Sequence, residues 1–245
     1  MNIKAQIPNL FTMLNLFCGC VALVMVADYK FDLAFYFVCL GIFFDFFDGF
    51  FARKFNVAGP LGVQLDSLAD MVTSGVVPGY AMYQLLFNVQ LLSAKSYSEN
   101  SIDIIPFIGF VITLGACYRL AKFNIDTRQS DSFIGLPTPA NALFVMSIAL
   151  IIKSMPLTEL SSVLFDRRVL IPLTFLSAYI MNAEIPLFSL KIKHFSFAKY
   201  KLQIFFLAIS VLMLIFLQIL AVPLIIIIYV LLSVINNMVN KKASV

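Results

Sequence analysis

The sequence predicts an all-α, polytopic membrane protein, and three observations support this fold class. The 245 residues are 61% hydrophobic and only 12% charged, a composition that is far too apolar for a soluble globular domain. Apolar runs of about 20 residues, the length that a helix needs to cross a bilayer, recur along the chain. Segments of about ten residues with alternating polarity, which are typical of a transmembrane β-barrel, do not occur.

Eight membrane-spanning helices are predicted. Their residues are 7–27, 31–53, 60–88, 104–123, 137–153, 168–186, 202–220 and 222–239. The first run is too long for the apolar core of a signal peptide, so we expect it to remain as a membrane helix. The third run is long enough to project beyond the hydrocarbon layer at one end. The last two runs are joined by a tight connection at 221–223, where Pro223 suits the first turn of a helix.

The distribution of Lys and Arg predicts the orientation in the membrane. With the N-terminus inside, twelve of the 17 basic residues fall on the cytoplasmic side and five on the far side. The five are Lys30, Lys95, Lys153, Arg167 and Arg168. By the positive-inside rule, both termini and the connection between the second and third spans are expected in the cytoplasm. The basic segment 187–201 would then lie near anionic lipid headgroups.

Four aspartates interrupt the apolar second and third spans. Asp45 and Asp48 are three residues apart, and Asp66 and Asp70 are four apart, so each pair shares one face of a helix. Ionisable side chains are costly within a membrane, and they indicate function by default. Two like charges about 4 Å apart repel by about 4 kcal/mol at an effective dielectric constant of about 20. Four acids in one pocket would therefore take up protons or bind cations.

Two functional interpretations of these acids follow from their chemistry alone. A site of carboxylates without histidine or cysteine favours hard divalent ions such as Mg²⁺ or Mn²⁺, and two such ions about 3.5–4 Å apart can assist displacement at phosphorus. The same acids could instead form a proton relay or the site of a cation transporter. Gly49 and Ala52 beside the acids leave room for a ligand or, alternatively, allow close helix packing.

The spacing of these residues resembles a known signature. The pattern Asp45-x2-Asp48-Gly49-x2-Ala52-Arg53-x8-Gly62-x3-Asp66-x3-Asp70 matches that of the CDP-alcohol phosphotransferase family without a gap or substitution. The resemblance implies a six-helix catalytic core over residues 1–190. Residues 191–245 would then add a basic connector and two C-terminal membrane helices, to which we assign a role in packing or stability.

The resemblance also implies a role for each residue of the signature. In such enzymes the acids hold two divalent cations, so Asp45, Asp48 and Asp66 are expected to be metal ligands. Asp70 is expected to act as the general base and as a further metal ligand. The residues expected to bind the CDP-diacylglycerol donor are Asn9 and Thr12, from the stretch 8–12 that resembles the family's polar entry to the first span, and Gly49, Ala52, Arg53 and Gly62 of the signature. For the first two of these, capping of the first helix is an equal interpretation.

Within that family, the chain is similar to the membrane-integral bacterial phosphatidylserine synthases. The similar stretches are 8–12, 64–70, 118–124 and 133–140. The similarity implies transfer of the phosphatidyl group of CDP-diacylglycerol to the hydroxyl of L-serine, with release of CMP. It also implies a homodimer surrounded by lipid in a bacterial inner membrane, with an active site that faces the cytoplasm and with no nucleic-acid partner.

Serine carries a carboxylate, so a pocket for serine should offer a cation. Arg119 and Lys122, three residues apart at the cytoplasmic end of the fourth span, are the predicted contacts, with Asn124 as a further one. Topology alone also accounts for the two basic residues. An acceptor with its own phosphate, such as glycerol 3-phosphate or an inositol phosphate, would need more positive charge near the metals. The fourth span provides only two basic residues, which favours serine over such an acceptor. Another acceptor alcohol and, from a different class of protein, a transporter remain alternatives.

Overall fold

The structure is a computed structural model that describes residues 3–93, 103–126, 133–155, 158–188 and 201–243. Helices make up most of these residues. The α-helices are α1 (Ile3–Ala27), α2 (Phe31–Lys54), α3 (Pro60–Asp70), α4 (Val77–Ser93), α5 (Val111–Ile125), α6 (Thr138–Ser154), α7 (Glu159–Leu164), α8 (Arg167–Asn182), α9 (Lys201–Leu217) and α10 (Ala221–Ala243). A π-helical turn (Met71–Val76) joins α3 to α4, and 3₁₀ turns precede α5 (Ile105–Phe110) and α10 (Gln218–Leu220). Two short strands, β1 (Phe133–Ile134) and β2 (Pro186–Leu187), form one antiparallel pair.

The prediction of an all-α membrane bundle is confirmed. Each of the eight predicted spans coincides with helical structure. Among the described residues, four stretches are long and apolar enough to cross a membrane, namely Gln6–Ala27, Phe31–Lys54, Ile105–Ile125 and Leu202–Val239. The predicted span 168–186 extends too far, because α8 ends at Asn182 and the chain then enters β2.

Some of the predicted topology lies outside the described residues. Lys95, Arg128 and residues 189–200 of the basic segment belong to this part of the chain. The orientation predicted from Lys and Arg therefore stays a prediction.

The long apolar stretch Leu202–Val239 is two antiparallel helices. The ring centroids of Phe206 in α9 and Tyr229 in α10 are 5.5 Å apart, whereas a continuous helix would separate these residues by about 35 Å. The chain reverses at Gln218, whose φ is 49°. The predicted connection at 221–223 was therefore wrong by a few residues, and Pro223 lies inside the first turn of α10.

Most of the apolar core lies away from the acids, and it extends to Leu136 and Leu187 beside the strand pair. Helix α6 is the central element, because it packs against α2, α4 and α10. Around it lie Val26 at the end of α1, Phe31 at the start of α2 and Leu86 in α4, all of them buried. This core fixes the relative positions of the helices. The four aspartates lie at the other end of the bundle.

The third predicted span is one helical stretch with a π-helical turn in its middle. Gly59 is the extended N-cap of α3, and Pro60 occupies the first turn. The π-helical turn begins directly after Asp70. Thr113 Oγ1 of α5 donates a hydrogen bond to the backbone oxygen of Gly75 in this turn at 3.0 Å. Such turns within α-helices are frequent at functional sites.

Two glycines let α1, α2 and the π-helical turn approach closely. A Cβ at Gly41 would lie 2.9 Å from Asn15 Oδ1 and 2.8 Å from Thr73 Cγ2. A Cβ at Gly19 would collide with Thr73 Oγ1, which donates to the backbone oxygen of Asn15 at 3.1 Å. Small residues at helix crossings are typical of membrane proteins, and here they make room for polar side chains.

The strand pair ties together two connections at the end of the bundle that holds the acids. Its register pairs Phe133 with Leu187. Gly135, directly after β1, has a φ of 74°, which favours glycine, and a Cβ there would collide with the backbone oxygen of Met181. We call residues 133–136 and 183–188 the strand-pair arm.

Gly41→Ala should destabilise the fold, because the added methyl group would overpack the contact with Asn15 and Thr73. Overpacking of this kind costs about 1–3 kcal/mol, so the detergent-solubilised protein should unfold at a lower temperature. Gly59→Ala is the matched control, since the nearest atom to a Cβ there is the backbone oxygen of Val57 at 4.0 Å. Equal melting temperatures for the two variants would contradict the close packing.

Candidate active site

Four aspartates from two helices meet at one end of the bundle. Asp45 and Asp48 lie in the C-terminal half of α2, and Asp66 and Asp70 lie in α3 after a short connection. The carboxylates of Asp45, Asp48 and Asp66 each have an oxygen within 4.8 Å of the others. Asp48 and Asp70 are only 6% and 8% exposed. The structure thus brings the predicted acids together.

Asp70 joins this cluster through Asn15, a residue of α1 that the sequence prediction missed. Asn15 Nδ2 donates to Asp70 Oδ1 at 3.1 Å and to Asp45 Oδ1 at 3.4 Å. Asn15 is fully buried, so these bonds are shielded from water. A carboxamide has two N–H donors on one nitrogen, and it can orient two carboxylates without adding charge. The signal was available, since Asn9, Thr12 and Asn15 recur every three residues on one face of an apolar span.

Thr12 orients a third acid, Asp48. Its Oγ1 donates to Asp48 Oδ2 at 2.6 Å, and both side chains are buried. Because α1 begins at Ile3, Asn9 and Thr12 lie well inside the helix. The alternative that these two residues cap the helix was therefore wrong.

The acid cluster carries more negative charge than its protein partners balance. Thr12 and Asn15 are neutral donors, and in the part of the chain that the structure describes none of the four acids forms a salt bridge. Unit charges on carboxylate oxygens that lie within 4.8 Å of one another repel by at least about 3 kcal/mol at an effective dielectric constant of about 20. Oxygen donors at this spacing suit hard divalent ions. The residues present therefore fit a site for a hard divalent cation.

A cavity of about 380 Å³ opens beside the acids. Its walls include Asp48 and Asp66 together with all the residues predicted to bind the donor lipid. The latter are Asn9, Thr12, Gly49, Ala52, Arg53 and Gly62. A Cβ at Gly49 would lie 3.3 Å from Arg53 Nη1, so the lack of a side chain at this position leaves room for the guanidinium of Arg53. The cavity offers small side chains, a cation and two of the acids to a phosphate-containing ligand.

Arg119 is buried and retains an unused hydrogen-bond donor. It lies in α5 and is only 6% exposed. Its Nε donates to the backbone oxygen of Leu136 at 2.7 Å, and the guanidinium carbon lies 5.6 Å from the centroid of the Phe123 ring. Within the described part of the chain, its Nη2 has no hydrogen-bond partner, and its charge interacts with that of Asp70. A guanidinium in this position can bind a carboxylate.

The other two predicted acceptor contacts have partners of their own. Lys122 Nζ pairs with Glu184 Oε1 at 3.3 Å. Asn124 Nδ2 donates to Ser67 Oγ at 2.8 Å, in an exposed position. Of the three predicted residues, Arg119 therefore has the geometry that best suits a bound carboxylate.

Comparison with known proteins agrees with this geometry. The model of the CDP-alcohol phosphatidyltransferase family matches residues 5–190. The CDP-diacylglycerol–serine O-phosphatidyltransferase of Bacillus subtilis is 36% identical over 137 residues, which cover 54% of this chain and 69% of that protein. The protein of the same name from Helicobacter pylori is 32% identical over 213 residues, covering 86% and 81%. That from Methanocaldococcus jannaschii is 31% identical over 158 residues, covering 64% and 67%.

The family match covers the larger part of the chain and includes all four acids. It also includes the cavity beside them and Arg119. The chain therefore belongs to the CDP-alcohol phosphatidyltransferase family.

Proposed function

We propose that this integral membrane protein transfers the phosphatidyl group of CDP-diacylglycerol to the hydroxyl of L-serine, giving phosphatidylserine and CMP. The proposal rests on one observation. The acids meet beside a cavity that is lined by every residue predicted to bind the donor. The names of the similar proteins support serine as the acceptor.

The cavity receives the CDP group of the donor. Arg53 offers its guanidinium to a phosphate oxygen, and Asn9 and Thr12 present polar groups to the nucleotide. Gly49 and Gly62 have no side chain and Ala52 has only a methyl group, so the pyrophosphate can approach the acids. The acyl chains stay in the bilayer, which keeps the lipid beside the cavity throughout the reaction.

Asp45, Asp48 and Asp66 would hold two divalent cations, Mg²⁺ or Mn²⁺, with Asp70 as a further ligand. Cations bound there would balance the charge of the transferring phosphoryl group and of the leaving phosphate. Asn15 is a positioning residue in this site. Its bonds to Asp45 and Asp70 each engage one carboxylate oxygen and leave the other oxygen for a ligand or a proton.

The transfer forms one phosphorus–oxygen bond and breaks another. The hydroxyl oxygen of serine bonds to the phosphorus on the diacylglycerol side, and the phosphoanhydride bond to CMP breaks. Asp70 accepts the hydroxyl proton as general base, and CMP leaves with the electron pair of the broken bond. Arg119 binds the serine carboxylate and so directs the hydroxyl towards Asp70.

We further propose a bacterial inner-membrane homodimer with both termini and the acids on the cytoplasmic side. A six-helix core within residues 1–190 would carry the chemistry, with residues 191–245 as an extension. The distribution of Lys and Arg supports the orientation, and the extent of the family match supports the division of the chain. In this orientation serine arrives from solution and the lipid from the bilayer.

The test is a transfer assay with purified protein, CDP-diacylglycerol, Mn²⁺ or Mg²⁺, and labelled serine. We expect CMP release that depends on serine and label that appears in lipid. CMP release that depends instead on glycerol 3-phosphate or an inositol phosphate would overturn the acceptor and keep the chemistry. If no alcohol supports CMP release and the protein conducts cations in proteoliposomes, the acids serve transport.

Asp70→Asn should lower CMP release by about 10²–10⁴-fold, the usual contribution of a general base. Binding of the donor lipid should persist, because the cavity is lined by other residues. Initial rates and nucleotide binding are the measurements. Asp32→Asn is the control, since Asp32 is exposed and pairs with Lys153 on the far side of the bundle. Near-normal turnover in Asp70→Asn would remove Asp70 from the role of base.

Asn15→Leu should weaken Mn²⁺ binding by about 10–100-fold, the usual effect of losing a residue that orients metal ligands. Electron paramagnetic resonance can follow Mn²⁺ binding without substrates. Gln84→Met is the matched control, because Gln84 is also a buried carboxamide, bonded to Tyr29 and Tyr80. It lies about 20 Å along the helix from Asp70. Equal Mn²⁺ affinities in the two variants would contradict the positioning role of Asn15.

Arg119→Ala should raise the KM for serine by about tenfold to a hundredfold, as expected for a lost hydrogen bond to a charged group. The KM for CDP-diacylglycerol should change much less. Lys122→Ala should raise the serine KM less than Arg119→Ala does, because the ammonium group of Lys122 already pairs with Glu184. Steady-state kinetics with each substrate varied in turn provides the comparison. A serine KM that is unchanged in Arg119→Ala would leave Arg119 with a topological role alone.

A further inference from the structure

We infer that the C-terminal hairpin, formed by α9 and α10, is a positioning element for the acceptor, because it holds the strand-pair arm that fixes Arg119. The inference rests on the proposed function, in which Arg119 binds the carboxylate of the acceptor. The hairpin lies beyond residue 190, where the family match ends. It would therefore be an addition to the family core that acts on the acceptor site from outside.

Helix α10 presents a polar stripe to β2. Tyr229, Ser233 and Asn237 recur every four residues, so they share one face of α10, whose other residues from 221 to 235 are all apolar. Asn237 Nδ2 donates to the backbone oxygen of Pro186 at 2.6 Å, and Tyr229 Oη donates to that of Phe188 at 2.9 Å. The backbone N–H of Phe188 donates to Ser233 Oγ at 3.4 Å. All three side chains thus bind the same three-residue segment of the arm.

The same segment is enclosed by apolar packing. The ring centroid of Phe188 lies 4.8 Å from that of Tyr229 and 5.7 Å from that of Phe206 in α9. Leu187 and Phe188 are buried. Polar groups in a membrane helix need partners, and here their partners are backbone groups of the arm. The hairpin therefore fixes the backbone of β2 as well as its side chains.

The arm carries this constraint to Arg119. The backbone N–H of Gly135 donates to the backbone oxygen of Ile185 in the arm at 2.9 Å. The backbone N–H of Leu136 donates to the backbone oxygen of Ile180 in α8 at 3.1 Å. The backbone oxygen of Leu136 then accepts the 2.7 Å bond from Arg119 Nε. A shift of β2 would displace Leu136 through the bond between Gly135 and Ile185, and the buried guanidinium would lose its hydrogen bond to Leu136.

The donor cavity does not depend on the arm. Its walls come from α1, α2, α3 and the connection between α2 and α3. Loosening the arm should therefore impair the use of serine and leave the use of the donor lipid unchanged. This selectivity separates a positioning role from a general loss of stability.

The experiment uses the full-length protein with Tyr229→Phe, Ser233→Ala and Asn237→Leu combined, changes that remove the polar stripe and keep apolar bulk. Ser210→Ala is the control, because Ser210 is buried in α9 and its hydroxyl bonds to Phe206 within its own helix. A hydrogen bond between membrane helices is worth about a threefold change in an equilibrium, so the serine KM should rise about fivefold to twentyfold. Hydrogen–deuterium exchange at residues 133–136 should become faster. Tyr229→Phe alone should give a smaller change in the same direction.

Faster exchange at 133–136 together with a selective rise in the serine KM would support the inference. Unchanged exchange in the triple variant would overturn it, and so would an equal rise in the KM of both substrates. Since the exchange measurement needs no substrate, its result stands apart from the transfer assay. Failure of the unmodified protein to use serine would overturn the proposed function, and the exchange result would still decide whether the hairpin holds the arm.

Discussion

Repulsion among buried carboxylates is the constraint on which the arrangement of this protein depends. Asp45, Asp48 and Asp66 lie within 4.8 Å of one another, in helices that are apolar over most of their length. Charges in such surroundings persist only when they are hydrogen-bonded and balanced. Thr12 and Asn15 of α1 supply the hydrogen bonds, and divalent cations would supply the balance. The need for both explains why three helices converge at this end of the bundle.

Helix association in a bilayer has no hydrophobic driving force between the helices, because lipid is as apolar as leucine. Close packing at small residues and hydrogen bonds between helices take its place. The contact of Gly41 with Asn15 and Thr73 is one example, since it combines both features in a single crossing. The stripe of polar side chains on α10 is another, and there the partners are backbone groups of Pro186 in β2 and of Phe188 directly after it. The first of these contacts also fixes Asn15, which donates to Asp70.

Much of the fold and of the acid cluster could be predicted from the sequence, because the bilayer imposes a strong length and polarity pattern. The acids stood out since they interrupt apolar spans at helical spacing. The cavity residues of α2 and α3 followed from the same signature, and Asn9 and Thr12 followed from the similar stretch 8–12. Asn15 was missed because its role depends on which helices pack together, although its polarity within an apolar span was visible. The strand pair could not be predicted, because two residues on each side give no periodic signal.

The choice among the predicted acceptor residues also needed tertiary structure. Arg119 and Lys122 are equivalent in sequence, as two basic residues at the end of one span. The structure distinguishes them, because Lys122 pairs with Glu184 and Arg119 is buried with an unused donor. The burial and the hydrogen-bond partners of these two residues depend on how α5 packs against the π-helical turn, α8 and the arm. A local sequence pattern cannot predict this packing.

The most direct test of the central claim is to locate Mn²⁺ by anomalous diffraction from crystals grown with the ion. The account predicts two anomalous peaks about 3.5–4 Å apart, the spacing typical of paired metal sites, bounded by Asp45, Asp48, Asp66 and Asp70. Absence of anomalous signal among these carboxylates at saturating Mn²⁺, with the side chains turned towards separate protein partners, would contradict it.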